Sequence, residues 1–314
     1  MGQGYESFGR GKCGTFSSTR GRGKSHAGSV NSPETWRAVV REAAARAVGE
    51  DVGPADLTSR LIPAERQAKA VLLTREVCVL AGLDLAEAVF REVDGNLKWK
   101  ALAGDGDVLS PGQAVAEISG SARSILTAER CALNFLQRLS GVATRTAEFV
   151  RAVEGTGTKI LDTRKTTPGL RALEKHAVRC GGGVSHRMGL YDAVLLKENH
   201  LALLGSENLA AWLQKAREDN PGVPVIVEAD SVDLAKTLLS LQPDRILLDN
   251  LSPKQVTEVV RERERTQAKV RLEASGGVTL ERARALAQAK VDFISVGAIT
   301  HSARAIDFAL DWER

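Results

Sequence analysis

The sequence lacks several features that mark common protein classes, and each absence removes a possibility. Its 314 residues contain only four cysteines, which are scattered and form no Cys-x-x-Cys pair. Free thiols in a reducing compartment are therefore predicted, which favours a cytoplasmic location, and neither disulfides nor cysteine-bound metals are expected. No apolar run approaches the roughly 20 residues that cross a bilayer, so no membrane span is expected.

Common nucleotide-binding, hydrolase and zinc motifs are also missing. There is no Walker-type Gly-Lys-Ser/Thr, and Gly181 to Gly183 do not follow a predicted strand as a dinucleotide fingerprint would. No Gly-x-Ser-x-Gly elbow follows a strand, which argues against a serine hydrolase. The histidines are dispersed, with no His-x-x-x-His pair, so zinc is not expected, and His176 and His200 are interpreted as structural.

Excess charge is confined to the start of the chain. The formal net charge is +4, but residues 1–30 hold five basic residues and one acid, which leaves 38 of each in the remainder. The folded body therefore gives no reason to expect nucleic-acid binding. Residues 1–30 form a basic Gly/Ser-rich tail that is predicted to be disordered. An overlong start, a targeting peptide and weak nucleic-acid attraction are alternatives for this tail.

Two folded domains are expected after the tail. Residues 31–140 are predicted to form an N-terminal α+β sheet domain with a linking helix, and residues 141–300 a β/α barrel. Residues 301–314 are predicted to form a C-terminal helix. Ser32-Pro33 is typical of a helix start, and the short β-rich segments that follow the first helix indicate a mostly antiparallel sheet.

The linking helix is predicted to run from Thr127 to about Val153, with Ser140-Gly141 as a potential break. A further helix is predicted to begin at Thr167-Pro168, an N-cap followed by proline, and to end at the glycines that start at Gly181.

From Lys159 onwards, short apolar segments alternate with helical ones. The six candidate strands are KILDT, DAVLLK, VPVIVEA, RILLDN, VRLEAS and FISVGA. Continuous apolar strands are typical of parallel sheets that are covered on both faces and joined by right-handed crossovers. An open doubly wound sheet would show the same pattern. A reactive or polar residue ends nearly every strand, and only a barrel brings all six ends to one mouth, so an incomplete six-stranded β/α barrel is favoured.

Cations are concentrated between Lys159 and His200, which hold eight Lys or Arg between them. Arg164 and Lys165 follow the first candidate strand, Lys197 follows the second, and His186-Arg187 follow the intervening helix. Because each carboxylate or phosphate needs its own charged donor, this pattern indicates a site for a small polyanion.

Two glycine turns follow the last two strands, in LEASGG and SVGAIT. Backbone N–H groups at such turns can bind a phosphate. Glu228 and Asp249 end successive strands, where they suit either Mg²⁺ or ribose hydroxyls. The residues alone therefore predict an enzyme that joins a phosphorylated sugar to an anionic partner.

Several segments, DTRKTTPGLR, GGGVSHRMG, LLKENH and LTAERCALNFLQRLSGVAT, resemble signatures of the quinolinate phosphoribosyltransferase family. The resemblance extends from about Ser32 to the C-terminus. It implies an N-terminal sheet domain followed by an incomplete barrel. It also implies transfer of phosphoribosyl from phosphoribosyl pyrophosphate to quinolinate with decarboxylation, which yields nicotinate mononucleotide, pyrophosphate and carbon dioxide in NAD biosynthesis.

The resemblance also implies roles for individual residues. Arg130 matches an arginine that enters the neighbouring subunit's active site, which implies a homodimer. The expected quinolinate ligands are Arg164, His186, Arg187 and Lys197, beside Thr163. Lys165, Glu228 and Asp249 are expected to be catalytic, with both carboxylates holding ribose hydroxyls and Mg²⁺. The expected phosphate loops contain Ser275, Gly276, Gly277, Ser295 and Gly297.

Two other functions are compatible with the sequence. A phosphoribosyltransferase or pyrophosphorylase of the same fold could act on another acceptor, such as nicotinate. A nucleic-acid-binding protein with a basic tail could instead have kept an inactive barrel.

Overall fold

A computed structural model describes residues 32–205 and 208–313 of the chain. The predicted disordered tail, residues 1–30, lies outside the described residues. Within the described ranges, no helix combines the length and apolar character needed to span a bilayer.

The first half of the chain forms a small antiparallel sheet with helices packed against it. Its elements are α1 (Pro33–Val52), a short 3-10 helix (Ser59–Leu61), β1 (Gln67–Thr74), β2 (Cys78–Val79), α2 (Leu83–Val93), β3 (Lys98–Ala101), β4 (Val108–Leu109), β5 (Ala114–Ser121) and α3 (Ala122–Ala152). The predicted start of α1 is confirmed, because the hydroxyl of Ser32 accepts the N–H of Thr35 at 3.1 Å and Pro33 occupies the first helical position.

The linking helix α3 is longer than predicted and unbroken. It begins at Ala122 rather than Thr127, since the hydroxyl of Ser121 caps it, and it continues through Ser140-Gly141. Gly141 is needed there for close packing, because an added Cβ would lie 1.9 Å from the carbonyl oxygen of Arg304. The predicted domain boundary at residue 140 therefore falls inside one continuous helix.

The second half contains the six predicted parallel strands. Its elements are β6 (Lys159–Leu161), α4 (Arg171–Cys180), β7 (Val194–Leu196), α5 (Glu198–Leu204), α6 (Leu209–Asp219), β8 (Val225–Ala229), α7 (Val232–Leu241), β9 (Arg245–Asp249), α8 (Pro253–Thr266), β10 (Arg271–Ser275), α9 (Leu280–Gln288), β11 (Phe293–Ser295), α10 (Ala298–His301) and β12 (Phe308–Trp312).

The six strands lie in the order β6-β11-β10-β9-β8-β7. If the two ends of this order are joined into a circle, the strands follow one another in chain order from β6 to β11. This is the arrangement of a β/α barrel. Parallel ladders join each neighbouring pair in this order, and in the described part of the chain no ladder joins β6 to β7. On its other side, β6 makes a single parallel bridge from Leu161 to Val184. All six carboxyl ends therefore lie on one side of the sheet.

Alternate residues of the strands point into the barrel. Ile226 and Leu247 form a small buried cluster with Ala193, separate from the main core that surrounds the barrel. Glu273 is paired in register with Leu247 across β10 and β9 and is fully buried. Since neighbouring strands place paired residues on the same face, this carboxylate belongs to the barrel interior.

The predicted C-terminal helix over residues 301–314 is wrong. Among the described residues of this range, 301–313, only His301 is helical, as the last residue of α10. Phe308–Trp312 form β12, which pairs antiparallel with β1. The first sheet consequently has the order β12-β1-β5-β3. Pairing satisfies the backbone groups along one edge of β1 and buries Phe308 and Leu310. The chain thus returns from the barrel to complete the N-terminal sheet.

The predicted beginning of α4 is also wrong, although its end at Gly181 is confirmed. The helix begins at Arg171, three residues after the predicted proline. Thr167 does not cap the helix with its hydroxyl, because both its N–H (3.1 Å) and its hydroxyl (2.7 Å) donate to the buried carboxylate of Glu174.

Candidate active site

A single cleft of about 860 Å³ lies at the carboxyl ends of the barrel strands. It brings together 13 of the 14 predicted site residues: Thr163, Arg164, Lys165, His186, Arg187, Lys197, Glu228, Asp249, Ser275, Gly276, Gly277, Ser295 and Gly297. The remaining residue, Arg130, is exposed on α3 and does not line the cleft. The predicted convergence of the strand ends is therefore confirmed by the geometry.

One side of the cleft is cationic. Arg187 follows the bridge at Val184, and its Nη1 donates to the carbonyl of Ala193 at 3.0 Å, which orients the guanidinium. Burial, together with the nearby charge of Arg164, lowers the pKa of Arg187. The two guanidinium groups repel each other. An anion with two carboxylates would remove this repulsion by pairing with both, so its binding here is favoured.

His186 lies between this cationic side and the barrel interior. Its Nδ1 accepts the backbone N–H of Arg187 at 2.7 Å, so a proton on the ring is placed on Nε2. Nε2 is 3.3 Å from the Oε2 of Glu273, which also accepts from Arg245 Nη1 at 2.7 Å. Burial alone would raise the pKa of Glu273, but the hydrogen bond and charge of His186 and the charge of Arg245 lower it.

The backbone of His186 is held by a buried ion pair. Asp162, just after β6, accepts its N–H at 2.8 Å, and Lys175 on α4 donates to its carbonyl at 3.0 Å. Asp162 and Lys175 also contact each other directly, and both side chains are almost completely buried. This pair therefore fixes the start of the His186-Arg187 segment from two sides.

Glu273, Asp162 and Lys175 were not identified by the sequence reasoning. Glu273 and Asp162 could have been identified from their positions inside otherwise apolar strand segments, LEAS and ILDT. Such residues are buried, and a buried charge requires a partner.

The glycine turns at the ends of β10 and β11 form another side of the cleft. Gly276 has φ of 92°, and an added Cβ would lie 2.1 Å from the Oδ1 of Asn250. The N–H of Asn250 donates to the carbonyl of Ser275 at 3.0 Å, which holds the two strand ends together. After this turn, Thr279 caps α9 by accepting the N–H of Arg282 at 3.2 Å. The resulting loop places backbone N–H groups at a helix start, where anions bind.

Gly297 forms the second turn, at the start of α10. An added Cβ here would lie 3.1 Å from the Cδ of Lys165 and 3.2 Å from the ring of His301. Lys165 therefore lies at the glycine side of the cleft rather than deep among the other cations. His301 also lines the cleft, although the sequence reasoning did not select it.

Two carboxylates between these sides could hold a metal. Glu228 lies 3.4 Å from the Nζ of Lys197, and Asp249 accepts from the side-chain amide of Asn250 at 2.9 Å. In the described ranges, no group of three potential protein ligands occurs at the cleft. Two carboxylates fit Mg²⁺, which takes few protein ligands and completes its shell with water and phosphate oxygens.

His200 has the structural role that was predicted for it. Its Nδ1 accepts the N–H of Lys197 at 2.9 Å, which caps the start of α5. The ring thereby holds the end of β7, and with it Lys197, at the edge of the cleft.

Comparison with protein families matches nearly the whole described chain. Residues 56–140 match the N-terminal domain model of quinolinate phosphoribosyl transferase, and residues 142–311 match the C-terminal domain model. A Mycobacterium leprae relative, nicotinate-nucleotide pyrophosphorylase [carboxylating], is 43% identical over 87% of this chain and 96% of its own. A tobacco relative, quinolinate phosphoribosyltransferase [decarboxylating] 2b, mitochondrial, is 37% identical over 86% of this chain and 81% of its own.

A similar fold occurs among solved structures. The nicotinate-nucleotide pyrophosphorylase from Francisella tularensis superposes with a TM-score of 0.82 at 38% identity. The match covers 88% of this chain and 96% of that one.

Proposed function

This chain belongs to the quinolinate phosphoribosyl transferase family, and from that premise we propose how its cleft performs the reaction. The protein is a pentosyltransferase that converts quinolinate and phosphoribosyl pyrophosphate to nicotinate mononucleotide in NAD synthesis. The observation that supports the proposed site most strongly is the division of one cleft into a cationic side, a carboxylate pair and a glycine side.

Quinolinate binds on the cationic side in this proposal. Arg164, Arg187 and Lys197 supply charged donors for its two ring carboxylates, and the ring of His186, which Glu273 holds through Nε2, lines the same side of the cleft beside them. Arg187 is the principal donor, because its guanidinium is already held by the carbonyl of Ala193 and lies near a second guanidinium. A monocarboxylate such as nicotinate would leave part of this charge without a partner, which favours the dicarboxylate.

Phosphoribosyl pyrophosphate binds across the rest of the cleft. Its 5′-phosphate accepts from backbone N–H groups of the turns at Gly276, Gly277 and Gly297, and Lys165 reaches the phosphates from the neighbouring strand. Glu228 and Asp249 hold the ribose hydroxyls and Mg²⁺. When bound, Mg²⁺ neutralises charge on the pyrophosphate leaving group.

The residues then act mainly by placement and charge. The cationic side directs the quinolinate nitrogen toward the ribose carbon C1, and Glu228 and Asp249 lie where positive charge develops as the C1–O bond to pyrophosphate breaks. The nitrogen lone pair forms the new bond to C1. The resulting pyridinium ring accepts the electron pair released when the adjacent carboxylate leaves as carbon dioxide, and a solvent proton replaces it.

We also propose a homodimer and a cytoplasmic location. Arg130 supports the dimer, because it is exposed on α3, away from its own cleft, while the resemblance assigns it to substrate binding. The cytoplasmic location is supported by the scattered cysteines, of which Cys78 and Cys131 are free thiols.

The test is release of labelled carbon dioxide from carboxyl-labelled quinolinate with phosphoribosyl pyrophosphate and Mg²⁺, compared with nicotinate as acceptor. Release should require all three components and stop on chelation of the metal. Arg187→Ala should raise the quinolinate KM at least about 100-fold and leave that for phosphoribosyl pyrophosphate nearly unchanged. Arg91→Ala, which removes an exposed ion pair on α2, is the control. Turnover of nicotinate alone, or normal quinolinate KM in the Arg187 variant, would contradict the proposal.

A further inference from the structure

A second group of potential metal ligands lies outside the cleft, where the barrel meets the N-terminal domain. It consists of Asp105, on the turn between β3 and β4, and of His176 and Cys180 on α4. One ligand atom from each residue lies within 4.8 Å of those of the other two. His176 and Cys180 are four residues apart, so both project from the same face of the helix.

Surrounding groups hold two of these side chains in place. The carboxylate of Asp105 accepts the backbone N–H groups of Gly82 and Leu83, each at 3.0 Å. The ring of His176 stacks on Trp36, with centroids 4.2 Å apart. Contacts of this type orient the ligands in protein metal sites. The side chains of His176 and Asp105 are 21% and 18% exposed, so an ion from solvent can reach them.

The two ligand-to-ligand distances that involve Asp105 are close to those of a tetrahedral site. The Oδ2 of Asp105 is 2.7 Å from the Nε2 of His176 and 4.0 Å from the Sγ of Cys180. With zinc bonds of about 2.0 to 2.3 Å, ligand atoms are separated by about 3.3 to 3.8 Å. A side-chain movement of about half an ångström would therefore convert the present hydrogen bonds into coordination.

We propose that Asp105, His176 and Cys180 bind a transition-metal dication of the zinc class, with water as the fourth ligand. A nitrogen, sulfur and oxygen set suits such ions, whereas Mg²⁺ requires oxygen ligands. On binding, Cys180 releases its thiol proton to solvent and coordinates as the thiolate. His176 keeps its ring proton on Nδ1 and coordinates through Nε2, so no electrons are transferred. The ion joins α4 of the barrel to the N-terminal domain.

The test is titration of the full chain with Co²⁺. We expect a thiolate-to-cobalt charge-transfer absorption that Zn²⁺ displaces, and a higher thermal unfolding midpoint with Zn²⁺. Cys180→Ser should abolish the absorption, and His176→Gln should weaken Co²⁺ binding roughly 100-fold. Cys131→Ala is the matched control on another helix, because burial raises the pKa of Cys131 to about 11 and keeps it a thiol. It should leave the absorption unchanged.

Asp105 also accepts N–H groups at the start of α2, so its variants can destabilise the fold. The metal site is therefore tested with variants of the two α4 residues, His176 and Cys180. Both variants are compared with the wild type at matched helical circular dichroism. Quenching of Trp36 fluorescence by Co²⁺, lost in His176→Gln, is a second readout that does not depend on a cysteine. No charge-transfer absorption in the wild type, or one that survives in Cys180→Ser, would overturn the proposal. So would an absorption that is lost in Cys13→Ser, because it would place the ion on the tail.

Discussion

The Nε2 of His186 lies 3.3 Å from the carboxylate of Glu273, which is fully buried in the barrel interior. This relationship makes Glu273 a positioning residue for the cationic side of the cleft. Glu273→Gln keeps the shape but removes the charge, so the hydrogen bond to His186 weakens. We expect the quinolinate KM to rise at least about 10-fold, with a much smaller change for phosphoribosyl pyrophosphate.

Steady-state kinetics for both substrates measure this difference. Glu258→Gln, which removes an exposed ion pair with Lys236, is the matched control and should behave as the wild type. Equal increases in both KM values, or none in a folded variant, would show that Glu273 does not position His186.

The two adjacent glycines of the phosphate turn provide a matched comparison. Gly276→Ala places a Cβ 2.1 Å from Asn250, whereas the nearest atom to a Cβ at Gly277 is 3.5 Å away, on Arg282. Both residues have positive φ, so each alanine costs about 1 kcal/mol in backbone strain. We expect Gly276→Ala to cost at least about 2 kcal/mol more and to weaken phosphoribosyl pyrophosphate binding. Denaturant unfolding measures the loss of stability, and substrate titration measures the loss of binding. Equal effects of the two variants would refute the steric argument.

The buried pair of Lys175 and Asp162 should show strong coupling. Burial raises the pKa of Asp162 and lowers that of Lys175, while each charge opposes the shift of the other. Lys175→Met leaves a buried carboxylate without its partner, which should cost about 3 to 5 kcal/mol. The double variant with Asp162→Asn should recover part of this loss. Urea unfolding of the four proteins gives the coupling energy, and additive effects would indicate that the two side chains act independently.

Asp56 should make the free energy of unfolding depend on pH in the acid range. Its carboxylate accepts from the hydroxyl and N–H of Ser59 and from the hydroxyl of Thr127, and these bonds lower its pKa from 3.8 to about 2. The ionised form is therefore favoured in the folded state. The contribution of this ionised carboxylate to the free energy of unfolding is fully present above about pH 4 and is lost as the pH falls toward 2.

We expect Asp56→Asn to cost about 1 kcal/mol at neutral pH and progressively less below pH 4. Unfolding free energies of the two proteins across this range measure the effect. A difference that stays constant with pH would mean that ionisation of Asp56 does not contribute.

Local patterns predicted much of the fold and the cleft. The six barrel strands are continuous apolar runs, so each could be identified without knowledge of its neighbours. Because parallel strands end on one side, residues such as Lys197 and Asp249 could be placed together from their positions at strand ends. The start of α1 was likewise predicted from Ser32 and Pro33, whose effect is confined to one turn.

The features that were missed depend on distant partners. The segment Phe308–Trp312 is a strand because the edge of β1, more than 200 residues earlier, is available for pairing. The role of Glu273 requires the register that places it beside Arg245 and His186. Neither follows from local periodicity, since hydrogen-bond partners far apart in the chain are set by packing.

The return of β12 to the N-terminal sheet has a consequence for synthesis of the chain. During translation, β1 leaves the ribosome long before β12, and at about 5 to 20 residues per second the interval is roughly 10 to 50 seconds. For that time one edge of β1 has no strand beside it and is open to pairing with other nascent chains. The first domain to be translated is thus among the last to be completed.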